Sequence, residues 1–406
     1  MHIVFLTDNF PPEVNAPASR TFEHCREWVK AGHKVTVLTC APNFPQGKVY
    51  EGYKNKIWQT EVMEGIRVIR VWTYITANKG FLKRTLDFFS YAFSSFVAGL
   101  FVRSDVIIAT SPQLFTTFSA YAISKVKRRP WIFELRDLWP ESIRTVGAIE
   151  QRRVLDFLEK TAIFMYHNCT RVVALTPAFK QKLLSMGVAS DKVDVITNGA
   201  NLDLFSPRQK DEELLKHFDL EGKFVAAYIG THGMAHNLAF IVKSISSLQD
   251  KSIHFLFVGD GAEKRNIVQL AADLAISNVH FIDPVSKEQV ARYLSLADVA
   301  LVPLKNADTF KTVIPSKIFE AAAMEKPILL GVEGQAKEIV EKYRAGLCFE
   351  PENEKDFLDK LVRMKTNREL YQSLQQGCHE LVKAFDRKRL AEEMLEVIRR
   401  LGPEDK

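Results

Sequence analysis

The chain is poor in cysteine and has no closely spaced cysteine pair. Its 406 residues include five scattered cysteines: Cys25, Cys40, Cys169, Cys348 and Cys378. An odd, scattered set without a CxxC pair argues against a disulfide framework and a structural zinc site, and it favours a reducing cytoplasm. The strand-like start, Met1 to Leu6, follows no basic leader, so we expect no secretion signal.

The chain also lacks an apolar run long enough to span a membrane. The most apolar stretch, residues 88–102, contains 15 uncharged residues, fewer than the roughly 20 that a spanning helix needs. One interpretation is a buried helix of the first domain. The other is a helix lying on a membrane, with its apolar face down and the preceding Lys79, Lys83 and Arg84 at the headgroups.

Charge is distributed unevenly along the sequence. Residues 1–205 carry 26 Lys and Arg against 18 Asp and Glu, whereas residues 206–406 are nearly neutral. The basic half is expected to meet something anionic. We find no stripe of basic and aromatic residues and no nucleic-acid-binding module, so we expect a membrane face or a phosphorylated lipid and no nucleic acid.

Short β-rich runs alternate with longer amphipathic segments, which predicts βαβ units, parallel sheets and the α/β class. One amphipathic segment, residues 19–31, is predicted to be the first helix. The predicted strands are 2–7, 34–39, 66–72, 106–110, 131–135, 171–175, 193–196, 224–229, 254–258, 279–282, 299–303 and 327–330. Twelve strands would be unusual in one sheet, so we predict two doubly wound domains, 1–205 and 206–386.

The segment from Pro315 to Ala323 has the composition of a phosphate-binding helix start. Proline suits a first helical turn, and Ser316 and the free amides of that turn would face outward with Lys317 adding a charge. Glu320, one turn later, could accept hydrogen bonds from two vicinal ribose hydroxyls. The segment therefore suits a nucleotide diphosphate, although an ordinary capped helix would have the same local pattern.

In position and spacing this segment resembles the donor-binding segment of glycosyltransferase family four. Other stretches resemble that family in the same order, namely residues 5–13, 32–37, 176–179, 198–205, 230–238, 258–261 and 297–299. The resemblance implies the GT-B fold, in which two Rossmann-like domains face each other across a cleft. It also implies an N-terminal acceptor domain, a C-terminal nucleotide-sugar domain, and a last helix, about 387–401, that packs back on the first domain.

The run 134–141, ELRDLWPE, is similar to a segment of bacterial enzymes that build O-antigen and capsular polysaccharide. Some of these are N-acetyl-L-fucosamine transferases. This likeness implies transfer of an N-acetylated amino sugar from a UDP-sugar to a polyprenyl-pyrophosphate-linked saccharide, with retention of configuration. We expect a peripheral protein at the cytoplasmic face of the cell membrane.

The resemblance also suggests which residues bind the donor. Backbone groups near Gly230, Thr231 and Gly233 would approach the phosphates, although these glycines could equally shape a strand–helix turn. The remaining donor residues are predicted to be Arg265 as a charge, Pro284 and Val285 at the uracil, and Pro315, Ser316, Lys317 and Glu320. No acidic pair suited to a metal stands out, so we expect no cofactor and a metal-independent reaction.

Two departures from the family pattern concern this donor site. The first acid of the usual Glu-x7-Glu pair is replaced by Thr312, which can hydrogen-bond a sugar hydroxyl but cannot act as a charged base. The Arg and Lys that usually follow the first strand of the second domain are also missing, and His232, His236 and Asn237 occupy that loop.

In the first domain, Arg136 aligns with a histidine that faces the donor sugar in many family members, and Asp137 follows it. We predict that these two residues and Thr312 act in catalysis, with Asp137 polarising or deprotonating the acceptor or orienting the sugar. For Asp137, pairing with Arg136 or capping of the next helix is the alternative. Glu13, Asn15 and Arg20 are predicted to bind the acceptor pyrophosphate, although a solvated turn would also explain Glu13 and Asn15.

Two other functions stay open at this point. A non-hydrolysing UDP-sugar epimerase can share the GT-B fold, and the absence of the first Glu is compatible with it. Such an enzyme would have no use for a basic, apolar surface on its first half. A non-catalytic subunit that binds a sugar nucleotide is the other alternative, which Thr312 also favours.

Overall fold

The structure is a computed structural model that describes residues 1–44, 46–76, 81–111, 113–139 and 151–402. Its internal contacts divide the chain into two compact units. The first unit is Met1–Thr197 together with Arg387–Lys406, and the second is Asn198–Asp386. The boundary between the units therefore lies between Thr197 and Asn198, before the predicted join at 205/206. The last segment of the chain, from Arg387, belongs to the first unit.

Fourteen strands lie within the described residues, in two sheets. Their bounds are β1 His2–Leu6, β2 Lys34–Cys40, β3 Trp58–Met63, β4 Ile66–Val71, β5 Val106–Thr110, β6 Trp131–Leu135, β7 Arg171–Ala174, β8 Val193–Val195, β9 Phe224–Ile229, β10 Ile253–Val258, β11 Val279–Ile282, β12 Val299–Pro303, β13 Ile328–Gly331 and β14 Gly346–Cys348. The prediction contains all of these except β3 and β14.

The α-helices of the described residues connect these strands. Their bounds are α1 Ala16–Lys30, α2 Phe81–Phe101, α3 Leu114–Lys127, α4 Arg152–Asn168, α5 Pro177–Ser185, α6 Glu212–His217, α7 Leu238–Ser246, α8 Lys264–Asp273, α9 Lys287–Ser295, α10 Lys317–Ala323, α11 Gln335–Tyr343, α12 Glu354–Thr366, α13 Arg368–Ala384 and α14 Arg387–Arg399. Helix α1 begins three residues before its predicted start because Asn15 caps it, accepting a hydrogen bond from the Ala18 amide at 2.9 Å.

The first unit is a doubly wound domain built on eight strands in the order β3-β4-β2-β1-β5-β6-β7-β8. The described pairings are parallel, as predicted, except that of β4 with β3, a strand that the prediction did not contain. Both faces are covered, since Val4 and Leu6 belong to one apolar core and Ile3 and Phe5 to another. The strand order reverses between β1 and β5, where doubly wound sheets bind ligands.

The C-terminal helix α14 completes the second of these cores. Leu390 and Met394 pack with Trp28 of α1, and the Trp28 indole N–H donates to the Ala391 carbonyl at 2.8 Å. Arg387, at the start of α14, forms a buried ion pair with Glu23 of α1. The chain thus leaves the first unit, builds the second, and returns.

The second unit has six parallel strands in the order β11-β10-β9-β12-β13-β14. Its order reverses between β9 and β12, which makes that point the ligand crevice expected for this topology. Apolar cores again lie on both faces, since Val225 and Ala227 of β9 point to one and Ala226 and Tyr228 to the other.

The apolar stretch 88–102 falls largely within α2, which has two different faces. Tyr91 and Ala98 are buried against the sheet, whereas the side chains of Phe93 and Phe101 are 69% and 79% exposed. None of the described helices is both long and apolar enough to cross a membrane. Lys79, near this helix, lies outside the described residues, as do Pro140 and Glu141 of the ELRDLWPE run.

Candidate active site

A small pocket lies at the point of strand reversal in the second unit. Apolar side chains of β9, β12 and α9 form most of its walls, among them Ile229 and Val302. Its two charged lining residues, Lys317 and Glu320, come from α10, which follows β12 in the chain. The predicted donor segment therefore contributes its lysine and its glutamate to one pocket.

Helix α10 begins at Lys317, with Ser316 as its N-cap. Pro315 therefore lies just before the helix, and its prediction as a residue of the first turn is wrong by two positions. Its carbonyl accepts from the Ile318 amide at 3.1 Å, which closes the loop onto the helix. The Ser316 hydroxyl makes no capping hydrogen bond within the described residues, while its carbonyl accepts from the Phe319 amide at 3.0 Å.

The Lys317 ammonium rests on an aromatic ring. Its Nζ lies 3.7 Å from the ring centroid of Tyr228, the penultimate residue of β9. A cation over a ring face is attracted by the ring quadrupole. Burial nevertheless lowers the pKa of Lys317 to about 7, and the nearby Glu320 acts in the opposite direction.

The backbone conformation at the end of β9 favours glycine at Gly230. It has φ +143, and a Cβ there would lie 3.1 Å from Lys317 Nζ. Its carbonyl in turn touches the loop after β10, since a Cβ at Gly259 would lie 2.0 Å from that oxygen. The loops that follow β9 and β10 are therefore in direct backbone contact beside the lysine.

Two histidines of the same loop surround Tyr228. Their ring centroids lie 5.7 Å (His232) and 5.9 Å (His236) from that of Tyr228. His232 is fully buried, and neither of its ring nitrogens has a hydrogen-bond partner among the described residues. Burial, followed by neighbouring lysine charge, lowers the pKa of His232 to about 4 and that of His236 to about 3. Both imidazoles are therefore neutral near pH 7.

In the first unit, Ser111 organises the end of β6 from the neighbouring strand β5. Its hydroxyl oxygen accepts from the Arg136 amide at 2.8 Å and from the Asp137 amide at 3.3 Å. These residues follow β6 at the carboxyl edge of the sheet, as predicted from the strand assignment. Two hydrogen bonds to one hydroxyl fix the backbone that carries Arg136 and Asp137.

Arg136 and Asp137 are both held in a desolvated environment. Arg136 is 7% exposed, and its Nη1 has no hydrogen-bond partner in the described part of the chain. Burial lowers the pKa of Arg136 to about 10 and raises that of Asp137 to about 6, against the opposing charge of the arginine. Asp137 is half-buried, so a substrate could reach it.

Comparison with known families gives the two units a common assignment. The Glycosyl transferase 4-like domain family matches residues 15–199, and the Glycosyl transferases group 1 family matches residues 209–387. The chain is a glycosyltransferase made of these two domains. The resemblance inferred from the sequence motifs is confirmed, as are the GT-B fold class and the assignment to an enzyme.

The glycosyltransferase is similar to proteins of bacterial polysaccharide synthesis. It is 25% identical over 367 residues to the colanic acid biosynthesis glycosyl transferase WcaI of Escherichia coli K12, covering 87% of this chain and 89% of that one. It is 29% identical over 203 residues to the teichuronic acid biosynthesis glycosyltransferase TuaH of Bacillus subtilis 168, covering 49% of each.

Solved structures share the fold over nearly the whole glycosyltransferase chain. Sucrose-phosphate synthase from Thermosynechococcus elongatus superposes with a TM-score of 0.79 at 16% identity, covering 98% of both chains. HepE of Anabaena, solved in complex with UDP and glucose, superposes with a TM-score of 0.74 at 15% identity and the same coverage.

The remaining donor-site predictions fall at several places in the second unit of this glycosyltransferase. Thr231 is exposed, and its carbonyl accepts from the Tyr228 hydroxyl at 2.7 Å. Gly233 has φ −101 and space for a Cβ, so the chain itself does not demand glycine there. The Thr312 hydroxyl donates to the Thr309 carbonyl at 2.9 Å.

Arg265, Pro284 and Val285 differ in exposure. Arg265 is exposed on α8, Pro284 is exposed after β11, and Val285 is half-buried against an apolar core. The residue before Arg265, Lys264, contacts the loop after β10, because its Nζ donates to the Gly259 carbonyl at 2.9 Å.

The three predicted acceptor residues have structural partners in the first unit. Arg20 is 1% exposed and donates to Glu134 at 2.9 Å and to the Thr197 carbonyl at 2.6 Å, so it cannot reach a pyrophosphate as predicted. Glu13 is 4% exposed and accepts from the Asn43 amide at 2.7 Å, and Asn15 caps α1. Glu13 is therefore not a solvated turn residue, whereas Asn15 is half-exposed in the bend before α1.

Sequence reasoning missed two carboxyl groups near the strand reversal of the first unit. Asp8 follows β1, and the Gln113 side chain donates to it. Burial raises the pKa of Asp8 to about 6. Burial also raises the pKa of Asp87, on α2, to about 7, and the negative charge of Asp8 raises it further. The position of Asp8 directly after a buried strand was the available signal; nothing local links Asp87 to it.

A metal ion would need several His, Cys, Asp or Glu side chains close together. No three His, Cys, Asp or Glu side chains there lie close enough together to hold a metal ion. The positive charge lining the second-unit pocket is supplied by Lys317.

We expect Arg20→Met to destabilise the first unit by about 3–5 kcal/mol, because it leaves Glu134 buried without its ion-pair partner. Arg389→Met is the control: its 61% exposed side chain pairs with Glu393, and its loss should cost less than about 1 kcal/mol. Urea unfolding followed by tryptophan fluorescence measures this in the first unit, which contains all five tryptophans: Trp28, Trp58, Trp72, Trp131 and Trp139. Equal losses in both variants would contradict the structural role of Arg20.

Proposed function

We propose that this glycosyltransferase transfers an N-acetylated amino sugar, such as N-acetyl-L-fucosamine, from a UDP-sugar to a polyprenyl-pyrophosphate-linked saccharide. The product would be a precursor of bacterial O-antigen or capsular polysaccharide. The names of the similar WcaI and TuaH proteins support polysaccharide synthesis, and the UDP complex of HepE supports a UDP-sugar donor. The observation that carries the proposal is the pocket that Lys317 and Glu320 share at the strand reversal.

The pocket suits UDP, the leaving group of the donor. Negative charge grows on the β-phosphate as the glycosidic bond breaks, and preorganised positive groups stabilise it best. Lys317 supplies that charge from the start of α10. Glu320 lies one helical turn after Lys317 and accepts from the ribose hydroxyls. We expect the transfer to need no metal ion and to retain the anomeric configuration.

In the first unit we assign Asp137 to the acceptor. With a pKa near 6 it is ionised at neutral pH and able to accept a hydrogen bond or a proton from the attacking hydroxyl. Arg136 lies next to it and keeps one guanidinium nitrogen without a hydrogen-bond partner within the described residues. This nitrogen is available to the donor sugar or to a phosphate oxygen.

The membrane is the third element of the proposal, since a polyprenyl acceptor is embedded in it. The exposed apolar residues of α2 follow one another at helical spacing and form a stripe: Leu86, Phe89, Phe93, Val97 and Phe101. Lys83 and Arg84 near its start and Arg103 just after it are exposed bases. We propose that this stripe lies in the cytoplasmic face of an anionic bilayer, with the enzyme peripheral to it.

Glu320→Gln is expected to weaken UDP binding by about 1–3 kcal/mol, because the amide is a poorer acceptor for the two ribose hydroxyls. Calorimetric titration of UDP into the wild type and the variant measures the difference. Glu341→Gln, an exposed position on α11, is the control and should bind like the wild type. Absence of UDP binding to the wild type would refute the donor assignment, and equal affinity of Glu320→Gln would refute the ribose role.

Asp137→Asn is expected to slow turnover by about 10²-fold or more, because an amide cannot take a proton from the acceptor. UDP affinity should stay close to that of the wild type. The wild-type rate should fall as pH drops below about 6, since protonation of Asp137 removes its basicity. UDP release in the presence of a polyprenyl-diphosphate saccharide is the readout, with the exposed Asp156→Asn as control. A wild-type rate in Asp137→Asn would remove this residue from the chemistry.

The α2 stripe is tested by sedimentation with phosphatidylglycerol vesicles. The wild type should bind them, bind phosphatidylcholine vesicles less, and lose binding as salt rises. The Phe93→Ser/Phe101→Ser variant should lose most of the binding while folding normally, because both side chains are largely exposed. Val268→Ser, an exposed position on α8, is the control. Unchanged binding by the double variant would exclude the stripe.

A further inference from the structure

The edge strand β3 of the first unit presents apolar side chains to solvent. It pairs with β4 on one side and with no other strand of the described residues on the other. Trp58 is 40% exposed, Val62 is 71% exposed, and Ile57, just before the strand, is 84% exposed. The strand contains no proline and no lysine, which commonly prevent edge strands from pairing with other chains, and its one charged residue, Glu61, is paired with Arg70 of β4. This edge is therefore open to another strand.

The turn that follows β3 determines which backbone groups face the open edge. Glu64 and Gly65 form a two-residue loop between β3 and β4, with φ 49 and 80. The residues on either side of such a loop exchange both backbone hydrogen bonds, and bonded and unbonded positions alternate from there back along the strand. The amide and carbonyl groups of Trp58, Thr60 and Val62 therefore point away from β4.

The side chains of β3 match those of a second, antiparallel copy of the same strand. When Thr60 lies opposite Thr60 of the second copy, Trp58 lies opposite Val62 and Ile57 lies opposite Met63. Pairs of an aromatic and a β-branched residue are among the cross-strand contacts that stabilise sheets. In this register the outward amides of each copy also donate to the outward carbonyls of the other.

The charges at the ends of β3 favour the same register. Lys56, before the strand, comes close to Glu64 of the second copy, and both side chains are exposed. A shift of two residues in one direction would put Glu61 opposite Glu61, and like charges directly opposite each other destabilise a pair of strands. The opposite shift would separate Trp58 from Val62. The pattern of β3 is therefore complementary to itself in one register.

We propose that the first unit pairs edge to edge with a second copy of this chain through β3, so that one sheet continues across a two-fold axis. Each copy contributes the same strand to the contact, which makes the interface isologous and stops the association at a dimer. The axis of an antiparallel pair is perpendicular to the sheet. Helix α2, whose Tyr91 packs in one core with Ile69 of β4, therefore lies on the same side of the sheet in both copies.

Sedimentation equilibrium of the full chain tests this pairing. The wild type should form a dimer whose fraction rises with protein concentration. Thr60→Lys should raise the dissociation constant of the dimer about tenfold or more, because it places two ammonium groups opposite each other at the axis. Thr60→Val, which keeps a β-branched side chain at that position, should dimerise like the wild type. Thr366→Lys, which adds the same charge at an exposed position of α12, should do so as well.

An exchange of charge tests the register. Lys56→Glu and Glu64→Lys should each weaken the dimer about fivefold, because each puts like charges together at both ends of the contact. An equimolar mixture of the two variants should form heterodimers with an affinity close to that of the wild type, since both opposite-charge pairs are then restored. A mixture that associates no better than either variant alone would overturn the proposed pairing.

Amide hydrogen exchange followed by NMR locates the contact. The amides of Trp58, Thr60 and Val62 should exchange more slowly as the dimer forms, whereas those of Glu61 and Met63, already bonded to β4, should be protected at every concentration. A wild type that stays monomeric at its highest soluble concentration would overturn the proposal, whether a bilayer or another protein then covers β3. A dimer that Thr60→Lys leaves intact, or that adds no protection at Thr60, would overturn it too, because the contact would lie elsewhere.

Discussion

Parallel pairing of β9 with β10 on one side and β12 on the other is the constraint on which the second unit's site depends. Parallel strands bring their carboxyl ends to one edge, and the reversal of strand order keeps the following loops from covering the gap between β9 and β12. The loop after β9 and helix α10 after β12 therefore meet there. Gly230 makes the meeting close enough for the lysine to lie on Tyr228.

Buried charged side chains have different partners in the two units. In the first unit Arg20 pairs with Glu134 and Arg387 pairs with Glu23, and these pairs hold strands and helices together inside the domain. In the second unit Lys317 faces an aromatic ring and neutral imidazoles. In a buried ion pair each charge is already stabilised by its partner. The charge of a cation that lies on an aromatic ring is stabilised further when an anion binds beside it. The difference separates residues that build the fold from those available to a ligand.

Much of the fold could be predicted from the sequence because most strands are buried on both faces and read as apolar runs. The edge strand β3 was missed because its side chains are exposed or half-buried throughout, without the apolar signal. Strand β14 was missed because it has only three residues and begins with Gly346. The segment from Pro315 to Glu320 could be singled out because its polar and charged groups are concentrated in six consecutive residues, although helix α10 begins later than Pro315.

The acceptor residues were harder because their partners are distant in sequence. Arg20 meets Glu134 over a separation of 114 residues, and no local pattern distinguishes such a buried arginine from one that faces a phosphate. His232 presents the same difficulty: its burial depends on the loop after β10, whose glycines allow the two backbones to touch. The spacing of the motifs placed His232 in the loop after β9, but it did not show whether the side chain would be buried.

The return of α14 to the first unit has a consequence for biosynthesis. Residues 198–386 are in effect inserted into the first unit, so its core around Trp28 stays open until the last helix leaves the ribosome. The second unit, continuous in sequence, can close its own cores earlier. Nascent chains would thus carry a finished second unit behind an unfinished first one, and a chaperone would find its binding surface on α1 and the strands beneath it.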